Sequence, residues 1–350
     1  MIKIGVIGCG RIAQKRHLPE YRDNPACTLS GYYDFNSDRA KEIASLYGGR
    51  AYESAEELIA SPEIDAVSVC TSNDTHAALS IAALRAGKHV LCEKPMATTP
   101  EDCEKMVEEA KKSGKILMIG MNQRLARAHA EAKKLLAEGA IGKVISFQTA
   151  FCHGGPETWS IDPGPNSWFF DKKRAAMGAM ADLGVHKTDL VQFLLGENVV
   201  KTTARVATLD KKYANGEKIG VDDNAFCIYE TESGVLGTMH AGWTQYGPED
   251  NSTVLFGTEG VMRLYQDPAY SVVIEKKNGE KILMALDLIQ TNDHQTKSGV
   301  IDLFVDCLEK GEKSPLSAES VLPAMRTVFA SLVSGETGKT VEIPENRRTK

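Results

Sequence analysis

The chain has 350 residues, of which 42% are hydrophobic and 25% charged, with a formal net charge of −6 and a sequence pI of about 5.8. These values are typical of a globular protein of two domains, and they exclude the clustered basic charge of proteins that bind nucleic acid or anionic membranes. No apolar run approaches the ~20 residues that span a bilayer, and the first residues lack the features of a signal peptide. The eight cysteines are scattered without a C-x-x-C pair, and the eight histidines show no metal-binding spacing. We therefore expect a cytoplasmic protein with reduced thiols, which binds neither nucleic acid nor membrane and holds no metal ion.

The first third of the chain alternates short apolar runs with amphipathic stretches. We predict strands at Ile2–Ile7, Leu29–Asp34, Ala51–Tyr52, Ala66–Cys70, His89–Cys92 and Ile116–Gly120. We predict helices at Arg11–Tyr21, Asp38–Tyr47, Ala55–Ala60, Thr75–Ala86 and Pro100–Ser113. Strands that are apolar along their whole length and alternate with helices favour a parallel sheet covered on both faces.

After about residue 123 the pattern changes to longer strands of alternating polarity, which are typical of a mainly antiparallel sheet with one covered face. The predicted strands include Val144–Phe151, Thr203–Leu209, Ala225–Thr231 and Leu236–Gly242. The predicted helices are Ala126–Glu138, Ala179–Leu195, Gly299–Lys310 and Ala318–Gly335. The fold class is therefore α/β, with a doubly wound domain at residues 1–123 and an α+β domain at residues 124–350. The boundary falls near residues 121–125, and the last helices can pack back on the first domain.

The clearest local motif is Gly8-Cys9-Gly10-Arg11-Ile12-Ala13, which follows the first strand and opens the first helix. Gly8 permits a tight turn, Gly10 lets the backbone approach a pyrophosphate, and Ala13 lets the helix pack closely on the strand. Phosphates bind at such a helix N-terminus because its N–H groups and its dipole favour negative charge. A structural turn that binds nothing is the alternative, and the glycines alone do not decide between the two.

Asp34 ends the second strand, 24 residues after Gly10. A carboxylate at this point accepts hydrogen bonds from the adenosine ribose hydroxyls and repels a 2′-phosphate, which favours NAD over NADP. Arg39 could pair with a 2′-phosphate, but we expect it on the exposed face of the following helix. Together, the glycine turn and Asp34 predict a dinucleotide site to which Arg11 and Ile12 also contribute.

The strand His89–Cys92 stops at Glu93-Lys94-Pro95. Proline cannot extend the strand, and it restricts the conformation of Lys94 before it. Parallel strands deliver such residues to the carboxyl edge of the sheet, where ligands bind. An ammonium group there can stabilise developing alkoxide charge. A surface turn with an ordinary ion pair is the alternative that the spacing leaves open.

Asp182 and His186 are four residues apart, so they share one face of a predicted helix. Small neighbouring residues at 178, 179, 181 and 184 let another body approach that face closely. A carboxylate in this position can orient an imidazole and stabilise its protonated form, as general base catalysis requires. An ordinary Asp–His pair on a helix surface is the alternative.

Taken together, these three motifs resemble the glucose–fructose oxidoreductase/inositol dehydrogenase/rhizopine catabolism family. Thr71–His76 and Ala86–Val90 are similar to that family as well. The E-K-P and D-x-G-x-H motifs in this order are specific, whereas the glycine turn alone is not. The resemblance implies a Rossmann domain followed by a domain with a large open sheet that forms homodimer or homotetramer contacts.

The resemblance also implies roles for individual residues. Lys94 contacts nicotinamide and substrate, His186 acts as general base, and Asp182 orients the substrate or the base. The Lys94–Pro95 peptide is often cis in this family, and Glu93 lines the cofactor crevice. Further implied cofactor contacts are Thr71, Ser72, Asn73, His76 and Asn122. The sequence departs from the family in one place, because the usual triple glycine before the Asp is reduced to Gly178, which puts the local backbone shape in question.

We therefore expect an NAD-dependent oxidoreductase that transfers hydride between nicotinamide and a secondary hydroxyl carbon of a sugar, sugar derivative or inositol. One alternative is a glycoside-processing enzyme that uses transient oxidation by NAD with elimination and no net redox change. Another is a non-catalytic NAD-binding sensor or regulator. The expected substrate contacts are Lys94, Asp182, His186, Arg124, His153 and Trp168, with Tyr246 as a weaker candidate. The aromatic loop at residues 152–168 can equally serve as a packing or subunit contact.

Overall fold

The computed structural model describes residues 1–289 and 297–344. Within them the chain forms two compact units. The first unit comprises residues 1–122, 173–176 and 297–322, and the second comprises residues 123–172, 177–289 and 323–344. Residues 290–296 and 345–350 of the predicted second domain lie outside the described residues.

The first unit is built on a parallel sheet of six strands in the order β3-β2-β1-β4-β5-β6, counted over the described residues. The strands are β1 Ile2–Ile7, β2 Cys27–Tyr33, β3 Arg50–Ala51, β4 Ala66–Val69, β5 His89–Cys92 and β6 Leu117–Ile119. β1 pairs in parallel with both β2 and β4, so the strand order reverses there. Ligands of open α/β sheets bind beside such a reversal, at the carboxyl ends of the strands. The predicted doubly wound parallel sheet is confirmed.

The helices of the first unit are α1 Leu18–Asp23, α2 Ser37–Tyr47, α3 Ala55–Ala60, α4 His76–Arg85 and α5 Pro100–Ser113. Their ends carry the expected signals: the Asn36 side chain caps α2, and Thr99 caps α5, which ends at left-handed Gly114. The prediction of one regular helix over Arg11–Tyr21 is wrong. Residues Ala13–His17 form a π-helical segment before α1, and Pro19 lacks the N–H that a continuous α-helix needs at its position.

The second unit is built on a sheet of nine strands among the described residues, in the order β14-β13-β12-β11-β7-β10-β9-β8-β15. The strands are β7 Val144–Cys152, β8 Val199–Ala207, β9 Asn224–Thr231, β10 Leu236–Gly242, β11 Thr253–Gly257, β12 Gly260–Leu264, β13 Val272–Lys276, β14 Lys281–Met284 and β15 Val341–Glu342. Only β7 and β10 pair in parallel within this described sheet. The mainly antiparallel sheet is therefore confirmed, whereas the strand predicted at Thr203–Leu209 begins four residues earlier, at Val199.

The remaining helices are α6 Arg127–Ala137, α7 Lys172–Ala175, α8 Val185–Leu195, α9 Val300–Lys310 and α10 Ala318–Thr337. α6, α8 and the part of α10 from Pro323 onward belong to the second unit, and α8 packs against β7. The other face of the sheet leaves Phe226, Ile228 and Leu236 about half exposed. No helix within residues 1–289 and 297–344 is long and apolar enough to cross a membrane.

Candidate active site

The glycine turn has the geometry that the sequence predicts. Gly8 has a φ of +90°, and a Cβ atom there would lie 2.6 Å from the carbonyl oxygen of Cys70. Its N–H donates to the carbonyl of Tyr33 at 2.7 Å. Only glycine fits this position, where the ends of β1, β2 and β4 come together. Gly10, Arg11 and Ile12 follow the turn and lead into the π-helical segment.

Asp34 is tied directly to this turn. One carboxylate oxygen accepts from the N–H of Cys9 at 2.7 Å, and the other accepts from the N–H of Asn36 at 2.8 Å and from Arg39 at 3.3 Å. A carboxylate has about four acceptor sites, so one is left for a ribose hydroxyl. The turn and the carboxylate thus fit NAD. Arg39 does not lie on the exposed helix face as expected, because its charge pairs with Asp34 and buries most of its side chain.

The segment after β4, residues 71–76, contains four of the implied cofactor contacts. The hydroxyl of Ser72 donates to Asp74 at 2.7 Å. Asn73 is buried, and its amide nitrogen donates to the carbonyl of Ala175 at 2.9 Å. These contacts order the segment within the first unit, and its contact with the cofactor stays a prediction.

His76 is buried between two carbonyl groups. Its Nδ1 lies 2.7 Å from the oxygen of Pro95, and its Nε2 lies 3.2 Å from the oxygen of Thr71. Burial lowers the pKa of His76, although both carbonyl contacts oppose that shift. The contact of Nδ1 with Pro95 fixes the segment after β4 to the turn that carries Lys94. The Lys94–Pro95 peptide is cis, as the resemblance implies.

Glu93 is the buried first residue of the turn Glu93-Lys94-Pro95. Its carboxylate lies 2.9 Å from Nε2 of His17 and 3.7 Å from the guanidinium of Arg16, and it accepts from the N–H of Lys94 at 3.2 Å. Burial alone would raise the pKa of Glu93, but the hydrogen bond with His17 and the electrostatic interactions with His17, Arg16 and Lys94 lower it to about 2. Glu93 is therefore an ionised acceptor that holds the backbone of Lys94, and its contact with the cofactor stays a prediction.

A chain of buried hydrogen bonds continues from His17. Its Nδ1 lies 3.2 Å from the hydroxyl of Ser68, which is 2.7 Å from the hydroxyl of Tyr21. His17 belongs to the π-helical segment that follows the glycine turn, so this chain connects that segment to Glu93. Sequence reasoning missed His17, although its position one turn beyond Ala13 on a buried helix face was a usable signal.

Asp182 and His186 lie in the second unit and are both buried. Asp182 is in a π-helical segment, Met180–Gly184, that runs directly into α8, where His186 is the second residue. The predicted regular helix over Ala179–Leu195 is therefore wrong in its first turn. π-Helical turns are frequent at functional sites.

Two side chains meet the carboxylate of Asp182. Trp243 donates from Nε1 to Oδ2 at 3.0 Å, and Nε2 of His153 lies 3.9 Å from the same oxygen. The N–H of Gly155 donates to Nδ1 of His153 at 3.0 Å, so the proton of the neutral ring is on Nε2, facing Asp182. Asp182 is thus a buried, oriented acceptor at the start of the helix that carries His186.

Gly178 fixes the backbone before Asp182. A Cβ atom there would lie 1.8 Å from the carbonyl oxygen of Asp222. The carboxylate of Asp222 accepts from the N–H groups of Gly178 and Met180, each at 2.7 Å. Burial raises the pKa of Asp222, and these two amide hydrogen bonds oppose the shift. A single glycine therefore meets the steric demand of this turn, although the sequence has lost the other two glycines of the usual motif.

Comparison with known proteins places this site in a family. The family model of an oxidoreductase family with an NAD-binding Rossmann fold, GFO/IDH/MocA, matches residues 2–121, and the model of the GFO/IDH/MocA C-terminal domain matches residues 129–263. The chain belongs to the GFO/IDH/MocA oxidoreductase family. It is accordingly an oxidoreductase, and NAD is its cofactor.

Relatives within the GFO/IDH/MocA family cover nearly the whole chain. It is 29% identical over 347 residues to a myo-inositol 2-dehydrogenase of Thermotoga maritima, covering 98% of this chain and 99% of the relative. It is 32% identical over 272 residues to inositol 2-dehydrogenase 3 of Saccharopolyspora erythraea, covering 77% and 74%. Among solved structures, an oxidoreductase domain protein from Kribbella flavida is 25% identical with a TM-score of 0.85 over 98% and 99% of the two chains. A levoglucosan dehydrogenase in complex with NADH and levoglucosan has a TM-score of 0.86 at 24% identity over 98% and 100%, and it shows the same fold.

Three predicted site residues of this GFO/IDH/MocA member, Arg124, Tyr246 and Asn122, have different surroundings. Arg124 forms a buried two-pronged ion pair with Asp189, in which Nε donates to Oδ2 at 2.7 Å. This contact orients the guanidinium within the second unit, and the contact of Arg124 with the substrate stays a prediction. Tyr246 is largely exposed, and its hydroxyl donates to Asp210. Asn122, in a 3₁₀ turn at Asn122–Leu125, ends the first of the three chain segments of the first unit.

Two functional candidates escaped sequence reasoning because their partners are distant in sequence. Trp243 directly follows β10, and Asp222 lies two residues before the start of β9. Polar or aromatic residues at strand ends were the available signal for both.

All eight cysteines are free and buried, and the described residues contain no group of three or more His, Cys, Asp or Glu side chains that could hold a metal ion.

Proposed function

We propose that this chain is an NAD-dependent dehydrogenase acting on a secondary hydroxyl carbon of a sugar, sugar derivative or inositol. The buried set formed by Asp182, Trp243 and His153 next to His186 carries this proposal, because it provides an oriented carboxylate and a base on one helix. The names of the inositol and levoglucosan dehydrogenases in the family support the substrate class.

When bound, NAD supplies a hydride acceptor at its nicotinamide ring. In the oxidative direction His186 accepts the proton of the substrate hydroxyl, while hydride leaves the same carbon. Asp182 orients His186 or the substrate, and Trp243 keeps the carboxylate in place. The ammonium group of Lys94 binds the substrate oxygen and stabilises its partly anionic form. The buried Glu93 beneath Lys94 holds its backbone in position.

The roles of Lys94 and His186 can be tested by substitution. His186→Ala and Lys94→Ala should each lower kcat by on the order of 10²–10⁴, because each removes a proton acceptor or an oxyanion partner. NAD affinity, measured by titration calorimetry, should change little. Lys112→Ala replaces an exposed lysine at the end of α5 and serves as control. Near-full turnover of both active-site variants on the true substrate would contradict the assignment.

The substrate class is tested by incubating the protein with NAD and a panel of free sugars, inositols and glycosides. NADH accumulation and substrate loss are followed together. Accumulating NADH with one of these compounds supports the proposal and identifies the substrate. Loss of a glycoside without net NADH would instead support the transient-oxidation alternative, and no change in either signal would support the sensor alternative.

We also propose that the protein is a cytoplasmic homodimer or homotetramer. The open face of the nine-stranded sheet supports the assembly, because the apolar side chains of Phe226, Ile228 and Leu236 are about half exposed there. Apolar patches of this kind on a sheet mark protein–protein contacts.

A further inference from the structure

The aromatic side chains of residues 153–169 join into one continuous cluster. Trp168 stacks on Phe169 with ring centroids 4.0 Å apart and 26° between the ring planes. Phe169 contacts Trp159 edge-on at 5.2 Å, and Trp159 contacts His153 in the same way at 6.0 Å. We call these four residues, His153, Trp159, Trp168 and Phe169, the aromatic wall. The proposed hydride transfer uses none of its three carbon-rich rings.

One end of the wall lies at the proposed catalytic carboxylate. Nε2 of His153 is 3.9 Å from Asp182, and the ring of Trp243, which donates to Asp182, is 6.4 Å from that of Phe169. Two paths of neighbouring rings therefore lead away from Asp182 and meet in the outer part of the wall. Trp168 is the member farthest along both paths.

The loop that carries the wall also holds two buried polar atoms without a hydrogen-bond partner among the described residues. Nε1 of Trp159 is buried, and so is Oε2 of Glu157 in the same loop, and neither has a hydrogen-bond partner within the described parts of the chain. A buried polar group without a partner costs about 1–3 kcal/mol. Buried groups of this kind take their partner from ordered water or from a ligand.

A buried lysine holds the wall in shape. Lys211 donates to the carbonyl of Gly154 at 2.5 Å and pairs with Glu157. The backbone N–H of Lys211 in turn donates to the carboxylate of Asp223 at 2.8 Å. At Gly155, φ is +102° and a Cβ atom would lie 2.5 Å from Glu157, so the loop depends on glycine there. The rings are therefore fixed before a ligand arrives, which lowers the entropic cost of binding.

Half-buried aromatic rings next to polar atoms suit a ligand with an apolar face and hydroxyl groups at its edge. On the path of rings that starts at Asp182, His153 and Trp159 come first and the stacked pair of Trp168 and Phe169 follows. We infer that the natural substrate carries a second ring, a sugar or an aryl group joined to the reacting sugar, and that the aromatic wall binds this ring. The inference rests on the proposed function.

The test compares a β-glucoside that carries a phenyl group and a glucose disaccharide with free glucose, each with NAD. The kcat/KM for at least one two-ring compound should exceed that for glucose by about tenfold or more. Trp168→Ala should reduce this ratio by about tenfold, whereas Trp168→Phe, which keeps a ring, should retain most of it. Tyr270→Ala removes an aromatic ring in the hairpin between β12 and β13 and serves as control.

Trp159→Phe isolates the buried N–H from the ring. This substitution should lower kcat/KM more for two-ring compounds with hydroxyl groups on the second ring than for the phenyl compound. Preference for the disaccharide over the phenyl glucoside identifies the second ring as a sugar, and the reverse identifies an aryl group. Equal kcat/KM for one-ring and two-ring compounds, or an equal loss for both in Trp168→Ala, would overturn the inference.

Binding is measured independently of turnover, by saturation-transfer NMR of the phenyl glucoside with the NADH-bound protein. Ring-proton saturation that is lost in Trp168→Ala supports the wall even if no compound is oxidised, in which case only the proposed function fails. If glucose is oxidised but the ring protons of the phenyl glucoside show no saturation, the proposed function holds and the inference that the wall binds a second ring fails. Circular dichroism of each variant verifies that it is folded.

Discussion

At the scale of single residues, the site depends on contacts between side chains that are far apart in sequence. Asp182 and His186 could be predicted because four-residue spacing on a helix is visible in the sequence. Trp243 could not, since its contact with Asp182 joins the end of a strand to a helix start. His153 was predicted as a substrate contact, but its position beside Asp182 was not. His17 escaped prediction for the same reason, because 76 residues separate it from Glu93.

Glu93 makes the stability of the protein depend on pH. Its pKa falls from the ordinary 4.5 to about 2 in the folded protein, so the unfolded chain binds more protons between these two values. The contribution of Glu93 to the free energy of unfolding is therefore complete above about pH 4.5 and is lost as the pH falls towards 2. The change is worth about 3 kcal/mol.

We expect Glu93→Gln to be less stable than the parent at pH 7 by about 3 kcal/mol, with the difference shrinking towards pH 2. Urea unfolding across this pH range measures both quantities. Glu42→Gln, on the exposed side of α2, should show no such trend. A difference between Glu93→Gln and the parent that stays constant with pH would rule out the ionised, hydrogen-bonded role of Glu93.

At the scale of elements, hydrophobic periodicity predicted most helices and strands of the first unit within one or two residues. It could not predict the π-helical segments Ala13–His17 and Met180–Gly184, because a π-turn and an α-turn bury nearly the same face. It also missed β12, β13 and β14. These strands have four or five residues each, and so short a run gives little periodicity.

The second π-helical segment requires glycine at position 178, because a side chain there would clash with Asp222. Gly178→Ala would force its Cβ against the backbone of Asp222 and displace the two amides that Asp222 binds. We expect a loss of about 1–3 kcal/mol in the free energy of unfolding and a fall in kcat that exceeds any change in NAD affinity. Chemical denaturation and steady-state kinetics measure these effects.

Gly247→Ala is the matched control, because an added Cβ there meets open space. It should leave both stability and turnover close to those of the parent. If Gly178→Ala behaved in the same way, the contact with Asp222 would not be the reason that glycine is needed before Asp182.

At the scale of the whole molecule, the open face of the nine-stranded sheet is the surface with an unexplained apolar character. Phe226 stacks on His240 with ring centroids 4.1 Å apart, and Ile228 is 55% exposed two residues farther along β9. Alternation of polarity predicted a sheet with one covered face, but sequence alone could not show which apolar residues would remain uncovered. That depends on the pairing of β9 with β8 and β10.

Ile228→Glu should shift the proposed homo-oligomer to monomers, because burying the new charge at an interface carries a large desolvation cost. Light scattering coupled to size-exclusion chromatography measures the mass. Leu46→Glu places the same charge at an exposed leucine of α2 and should leave the mass unchanged. A parent protein that is monomeric at all concentrations would contradict the assembly, and so would an Ile228→Glu variant of parental mass.

The return of residues 297–322 to the first unit has a consequence for its modularity. Glu20 accepts from both the N–H and the hydroxyl of Ser298, at 2.8 and 3.0 Å, and the N–H of Ile119 donates to the carbonyl of Leu316 at 2.9 Å. A gene fragment that stops at residue 122 would encode every strand of the parallel sheet but none of these partners. The first unit of this chain is therefore not encoded by one contiguous stretch, and recombination at a single point would not transfer it intact to another protein.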